Sequence, residues 1–308
     1  MLGNIFLLVL GFVLLMRGAD VFVDGAVAVS RRLHIPEIVI GLTVVAMGTS
    51  APEAAVSILG NLHGASGISI GNIIGSNIAN ILLILGVAAC ISTLKLTRNT
   101  VRYEIPFVIF ITALLGFVGS RYGEISHAFA EMLLVLFVAF LSYLFMTSQS
   151  DTSDKVIERK SGFHIIVMIV AGLIALIWGS DMIINSATAI AKYFGVPGRV
   201  IGLTIVAFGT SLPELSTCVV AAIKKKSDLV VGNIIGSNIF NILFVLGLAG
   251  IISAIPFDYN FIGDAVIATG VACVLWFVSF VTNKKLGRYA GILFVSLYAV
   301  YIIHTVVL

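Results

Sequence analysis

Residues 41–86 and 202–247 are two copies of one apolar sequence, offset by 161 positions without a gap, and each copy carries a glutamate. The first reads GLTVVAMGTSAPEAAVSILGNLHGASGISIGNIIGSNIANILLILG, the second GLTIVAFGTSLPELSTCVVAAIKKKSDLVVGNIIGSNIFNILFVLG. Over residues 36–92 against 197–253, 30 of 57 positions are identical. Glu53 pairs with Glu214, Thr49 with Thr210, Asn80 with Asn241 and, upstream, Asp20 with Asp181. A charge at membrane depth costs about 2.5–3.5 kcal/mol on insertion scales and marks function by default. A duplicated scaffold alone has no need to keep that cost in both copies.

The surrounding composition places these copies in a bilayer. Hydrophobic residues make up 59% of the 308 and charged residues 11%, against roughly a quarter charged in soluble domains. Ten apolar spans are expected, at about residues 2–25, 37–62, 69–93, 103–120, 126–147, 162–188, 198–223, 229–253, 262–281 and 289–307. Each is near the ~20 residues a hydrocarbon core requires. The first is too long for the apolar core of a signal peptide. The polar segment 148–161, SQSDTSDKVIERKS, divides the chain into a first five-helix repeat, 1–147, and a second, 162–308. An odd number of spans per repeat turns the second upside down, so the repeats are inverted about an axis in the membrane plane. The expected fold is an all-α polytopic membrane protein of ten transmembrane helices.

Loop charge orients it. With the N-terminus outside, 14 of the 18 Lys and Arg residues lie in inner loops, including Arg31, Arg32, Lys95, Lys155, Lys224 and Lys284. Three, Arg121, Lys192 and Arg199, lie in outer loops. Positive charge collects on the cytoplasmic side, so both termini are expected outside, 148–161 is a cytoplasmic linker, and the location is the cell (plasma or inner) membrane. These basic residues are given no role beyond topology, and nothing in them points to nucleic acid.

Spans two and seven are expected to break. Pro52 and Pro213 each lack a backbone donor and clash with the carbonyl one turn back, at Gly48 and Gly209. Carbonyls released there need another partner in lipid, and a cation would serve. Spans three and eight carry GNIIGSNIAN and GNIIGSNIFN, in which Asn72, Ser76 and Asn80, and Asn233, Ser237 and Asn241, recur at four-residue spacing along one helix face. Gly71 and Gly75, and Gly232 and Gly236, allow close helix approach. Two carboxylates with neutral amide, hydroxyl and carbonyl oxygens form a hard-oxygen set suited to Ca2+, Na+ or Mg2+ and not to soft metals. One Ca2+ would neutralise Glu53 and Glu214.

The paired GTSxPE and GNxxGSN segments resemble the alpha repeats of the Ca2+/cation antiporter superfamily, in its prokaryotic-type sodium/calcium exchanger branch. The resemblance runs over essentially the whole chain. It implies alternating access, four cation sites at mid-membrane, and antiport of Ca2+ against Na+, the transported ions, with no cofactor. By motif position it makes Glu53 and Glu214 the central ligands and assigns carbonyls to Thr49, Thr210, Ala46 and Ala207. Ser50, Ser211, Ser76 and Ser237 complete the sodium sites, and Asn80 and Asn241 flank the middle one. The position of Asn241 is usually an Asp in this branch; here the site has two carboxylates. A proton-coupled or potassium-involving antiporter is the alternative; the proton-coupled branch carries GNxxE in place of GTSxPE.

Other classes fit less well. An Asp20/Asp181 protease dyad needs both acids at one depth, whereas inverted repeats put them at opposite ends, where capping or packing is expected. Ser50 and Ser211 have no neighbouring base for hydrolysis. GNIIGSN lacks the Gly-Lys-Ser/Thr of a phosphate loop. Cys90, Cys218 and Cys273 lie in apolar runs as small buried hydrophobes, and the five His residues are scattered. A channel would favour rings of identical charges in an oligomer; an internal two-fold favours an exchanger, expected to function as a monomer in the lipid bilayer.

Overall fold

A computed structural model describes residues 2–63, 66–148, 160–195 and 207–307. Most of the 148–161 linker and the start of the seventh expected span, with Lys155, Arg159 and Arg199, lie outside these residues. Among the described residues the chain is a helical bundle. Its helices are α1 Leu2–Leu33, α2 Glu37–Thr49, α3 Ala51–Leu62, α4 Ser69–Ile91, α5 Thr100–Tyr122, α6 His127–Ser148, α7 Gly162–Tyr193, α8 Ala207–Thr210, α9 Leu212–Ile223, α10 Ser227–Ile252, α11 Asn260–Val281 and α12 Arg288–Val307. Eight are long and apolar enough to cross a membrane, and the α2–α3 pair, bent by 49° at Ser50, makes a ninth candidate. The chain is a multi-spanning membrane protein.

Two helices form the centre. The apolar window of α10 is 83% buried and that of α4 78%, against 17–39% for the other six long helices. Those six turn Phe6, Phe117, Val135, Trp178, Phe277 and Val300 outward, the pattern expected where the solvent is lipid. Glycine permits the central packing: a Cβ on Gly236 of α10 would stand 2.6 Å from the Leu42 carbonyl of α2. Likewise α1 and α7 lie backbone to backbone, and a Cβ on Gly179 would stand 2.7 Å from the Leu15 nitrogen.

Three features were not legible as elements in the sequence. The first is a set of π-helical turns at Gly41–Val45, Asn80–Ile84, Thr100–Glu104 and Asn241–Val245. Such turns are rare and gather at functional sites; two begin on the paired residues Asn80 and Asn241. In the Thr100–Glu104 turn the Val101 carbonyl accepts from the Trp276 indole at 2.9 Å. The second is a pair of miniature antiparallel ribbons, β1 Leu94–Lys95 with β4 Lys285–Leu286, and β2 Glu124–Ile125 with β3 Ile255–Pro256. The 161 offset carries β1 onto β3 and β2 onto β4, so each ribbon joins the two halves of the chain.

The third corrects the reading of the basic residues as topology alone. Lys224, just past α9, reaches Asp20 Oδ1 at 2.7 Å and Asp24 Oδ1 at 2.6 Å on α1. Burial alone would lower the Lys224 pKa; the hydrogen bonds it donates to Asp20 and Asp24 outweigh that and raise it above the ordinary value. Lys226 reaches Glu37 Oε1 at 2.8 Å, tying the start of α10 to the start of α2. The cysteines also differ from expectation: Cys218 is buried but accepts from an asparagine, and Cys273 is exposed.

Candidate functional site

The site begins where α2 stops. Pro52 cannot extend the helix, Ser50 leaves helical geometry (φ −82°, ψ 9°), and α3 starts at Ala51 in a new direction. In the second copy Ser211 does the same (φ −87°, ψ 6°) between α8 and α9. Glu53 and Glu214 therefore fall in the first turn of α3 and α9. A helix N-terminus favours negative charge. Both carboxylates are 1% exposed.

Each break reaches across to the other's acid. Ser50 Oγ donates to Glu214 Oε1 at 2.8 Å, and Ser211 Oγ donates to Glu53 Oε1 at 3.0 Å. Thr49 stands alongside Glu214 and Thr210 alongside Glu53. Ser50 also lies 2.9 Å from the Ser237 hydroxyl, and Thr49 Oγ1 lies 3.0 Å from Asn233 Oδ1.

The central helices add a second reciprocal set. Asn77 Nδ2 donates to the Asn238 carbonyl at 3.2 Å, and Asn238 Nδ2 donates to the Asn77 carbonyl at 3.3 Å. Their side-chain oxygens then orient the next amides. Asn80 Nδ2 donates to Asn238 Oδ1 at 3.0 Å, and Asn241 Nδ2 donates to Asn77 Oδ1 at 3.2 Å. With the nitrogens committed, the oxygens are left over. Among the described residues nine buried side-chain oxygens have no hydrogen-bond partner, and four of them are Glu53 Oε2, Glu214 Oε2, Asn80 Oδ1 and Asn241 Oδ1. A buried acceptor without a partner costs about 1–3 kcal/mol, more when charged. Four such atoms, in two pairs related by 161 positions, are the chemistry of an oxygen-ligand cation site.

Of the expected site residues, Glu53, Glu214, Ser50, Ser211, Thr49, Thr210, Ser237, Asn80 and Asn241 are joined in these contacts, and Ser76 is buried on α4. The backbone expectation is only partly met. The Ala46 carbonyl accepts the Ser50 N–H at 3.0 Å and the Thr49 hydroxyl at 3.4 Å, so the break does not release it. The Gly209 carbonyl, freed by Pro213, accepts from Ser180 Oγ at 2.7 Å. Ala207 opens α8. Asn77 and Asn238 were missed as site builders; the signal was there, since each lies one residue past the serine of a repeated GSN. The Asn72 amide nitrogen turns to α3 and that of Asn233 to α9, while Asn233 Oδ1 stays beside Thr49 and Ser237. Asn72 donates to Ser57 Oγ at 3.0 Å, and Asn233 donates to Cys218 Sγ at 3.3 Å.

A bundle of apolar spans that buries two carboxylates together with hydroxyl and amide side chains is the architecture of a membrane ion transporter. The family model described as "Sodium/calcium exchanger protein" matches residues 3–146 and again 164–307, and the chain belongs to that family. It is 39% identical over 262 residues to the putative antiporter CaxA of Alkalimonas amylolytica, covering 82% of each. It is 32% identical to the sodium/calcium exchanger MaX1 of Methanosarcina acetivorans, covering 97% of each. Among solved structures, the sodium-calcium exchanger NCX_Mj superposes with a TM-score of 0.87 at 33% identity, over 97% of each chain.

Proposed function

We propose that this protein is a secondary antiporter that exchanges Ca2+ for Na+ across the cell membrane by alternating access. Glu53 and Glu214 are the central ligands. Asn80 and Asn241 supply neutral oxygens, Ser50, Ser211, Ser76 and Ser237 complete the sodium sites, and the carbonyls of Thr49, Thr210, Ala46 and Ala207 close the shell. The observation that carries this reading is the set of four buried, unpartnered oxygens on Glu53, Glu214, Asn80 and Asn241. Two carboxylates match the charge of one Ca2+, or of two Na+. Filled by either, the site is neutral; unfilled, it leaves two buried like charges close together. The filled protein is therefore the form that can rearrange, which couples the two fluxes.

The architecture that goes with this function has ten spans in two inverted repeats, 1–147 and 162–308, with 148–161 cytoplasmic and both termini outside. The second broken span includes α8 and α9. The repeat offset and the reciprocal contacts support it. One chain carries both halves of the site and works as a monomer in the bilayer. The test is ⁴⁵Ca uptake into proteoliposomes. Uptake should follow an imposed sodium gradient and should not follow potassium or proton gradients of the same size. Equal uptake under a proton gradient would contradict the assignment of the driving ion.

A further inference from the structure

The Lys224 bridge has mates under the 161 offset: Lys224 corresponds to His63, Asp20 to Asp181 and Asp24 to Asn185. The bridge is made and its mate is not. His63 is exposed, with Nδ1 2.8 Å from the Leu59 carbonyl of its own helix. Asp181 and Asn185 instead line an open groove on the outer surface with Leu7, Trp178, Met182 and Ser186. We propose that Lys224 is a gating residue: its bridge to Asp20 and Asp24 holds one face of the transporter closed, and His63 with Asp181 and Asn185 is the counterpart that forms when the opposite face closes. This rests on the antiport reading and its inverted repeats.

Three observations support it. Lys224 directly follows α9, the half-helix that carries Glu214, so the bridge fixes α1 against an element of the ion site. Asp20 and Asp24 are one helical turn apart and present one face to a single ammonium. In an inverted-repeat transporter, access alternates as one repeat or bundle is gated against the other around a fixed site. A contact made in one half and open in its mate should then change places. The pairing is also unequal, with an ammonium facing two carboxylates on one side and an imidazole facing one carboxylate and an amide on the other. The state with the Lys224 bridge is therefore the favoured one.

The experiment uses the full chain in oriented proteoliposomes and measures the Ca2+ concentration that half-saturates exchange at each face. Breaking the bridge with Lys224→Met populates the state open at the Lys224 face. Half-saturating Ca2+ should then fall at that face and rise at the other, their ratio changing by about fivefold, as expected for a partly exposed ion pair. Lys224→Arg should restore the wild-type ratio, and Asp24→Asn should move it as Lys224→Met does. His63→Ala should move it the other way. A merely structural role predicts equal changes at both faces, and that result, an unchanged ratio, or failure of Lys224→Arg to restore it overturns the gate. If the wild-type protein shows no sodium-dependent Ca2+ exchange, the antiport reading itself falls, and the gate with it.

Discussion

The Ser50 hydroxyl donates to the Glu214 carboxylate at 2.8 Å, although the two residues stand 164 positions apart. Its mate, Ser211 to Glu53, repeats the contact at 3.0 Å. Each half of the chain thus positions the acid of the other, and neither half holds a complete site.

Because the acids provide the only formal charges in the contact set described, neutralising one should be severe. Glu53→Gln and Glu214→Gln should each lower Ca2+ exchange by at least about a hundredfold, an energy of about 2.7 kcal/mol, while the protein still folds. Size-exclusion behaviour and ⁴⁵Ca flux measured on one preparation check both parts.

Removing the serine leaves the charge but loosens its aim. Ser50→Ala and Ser211→Ala should each weaken ion binding by about tenfold, since one hydrogen bond to a charged group is worth about 1.5–3 kcal/mol net and the bound ion replaces part of it. The two variants should behave alike. A large effect of one and none of the other would argue against reciprocal halves.

Asn77 and Asn238 act on the proposed site through the amides they hold, those of Asn241 and Asn80. Asn77→Ala frees the Asn241 amide to rotate, and Asn238→Ala frees that of Asn80. Each should raise half-saturating Ca2+ about five- to tenfold, the worth of about 1 kcal/mol of lost orientation, with maximal rate changed less. By contrast, Asn241→Asp adds a third carboxylate and should tighten Ca2+ binding while slowing turnover. Kinetics left unchanged by Asn241→Asp would remove that position from the site.

Packing gives a prediction separate from transport. Gly236→Ala puts a methyl 2.6 Å from the Leu42 carbonyl, a backbone atom that cannot swing aside. Stability should fall by about 1–3 kcal/mol, read as a lower thermal midpoint in detergent.

Much of this was legible in the chain because the repeat is its own alignment. Glu53 and Glu214 stand out as charges in hydrocarbon, and Pro52 dictates the α2–α3 break. What was not legible was cross-chain geometry. Spacing puts Asn72, Ser76 and Asn80 on one face, but only packing shows that Asn77, on a neighbouring face, meets Asn238. The Lys224 bridge was hidden for a similar reason: a loop lysine satisfies the charge rule whether or not a carboxylate 200 positions away comes within reach. The π-turns at Asn80 and Asn241 have no periodic signature. They keep apolar faces that an α-helix would also present.

The central claim is that one pair of carboxylates holds Ca2+ and Na+ in turn. The most direct measurement is equilibrium ⁴⁵Ca binding to the purified protein across a range of Na+ concentrations, with Glu53→Gln and Glu214→Gln alongside. Sodium should displace Ca2+ completely and steeply, with more than one Na+ per Ca2+, and neither variant should bind Ca2+ in the same range. Calcium binding that Na+ leaves untouched, or that survives in both variants, would contradict the account.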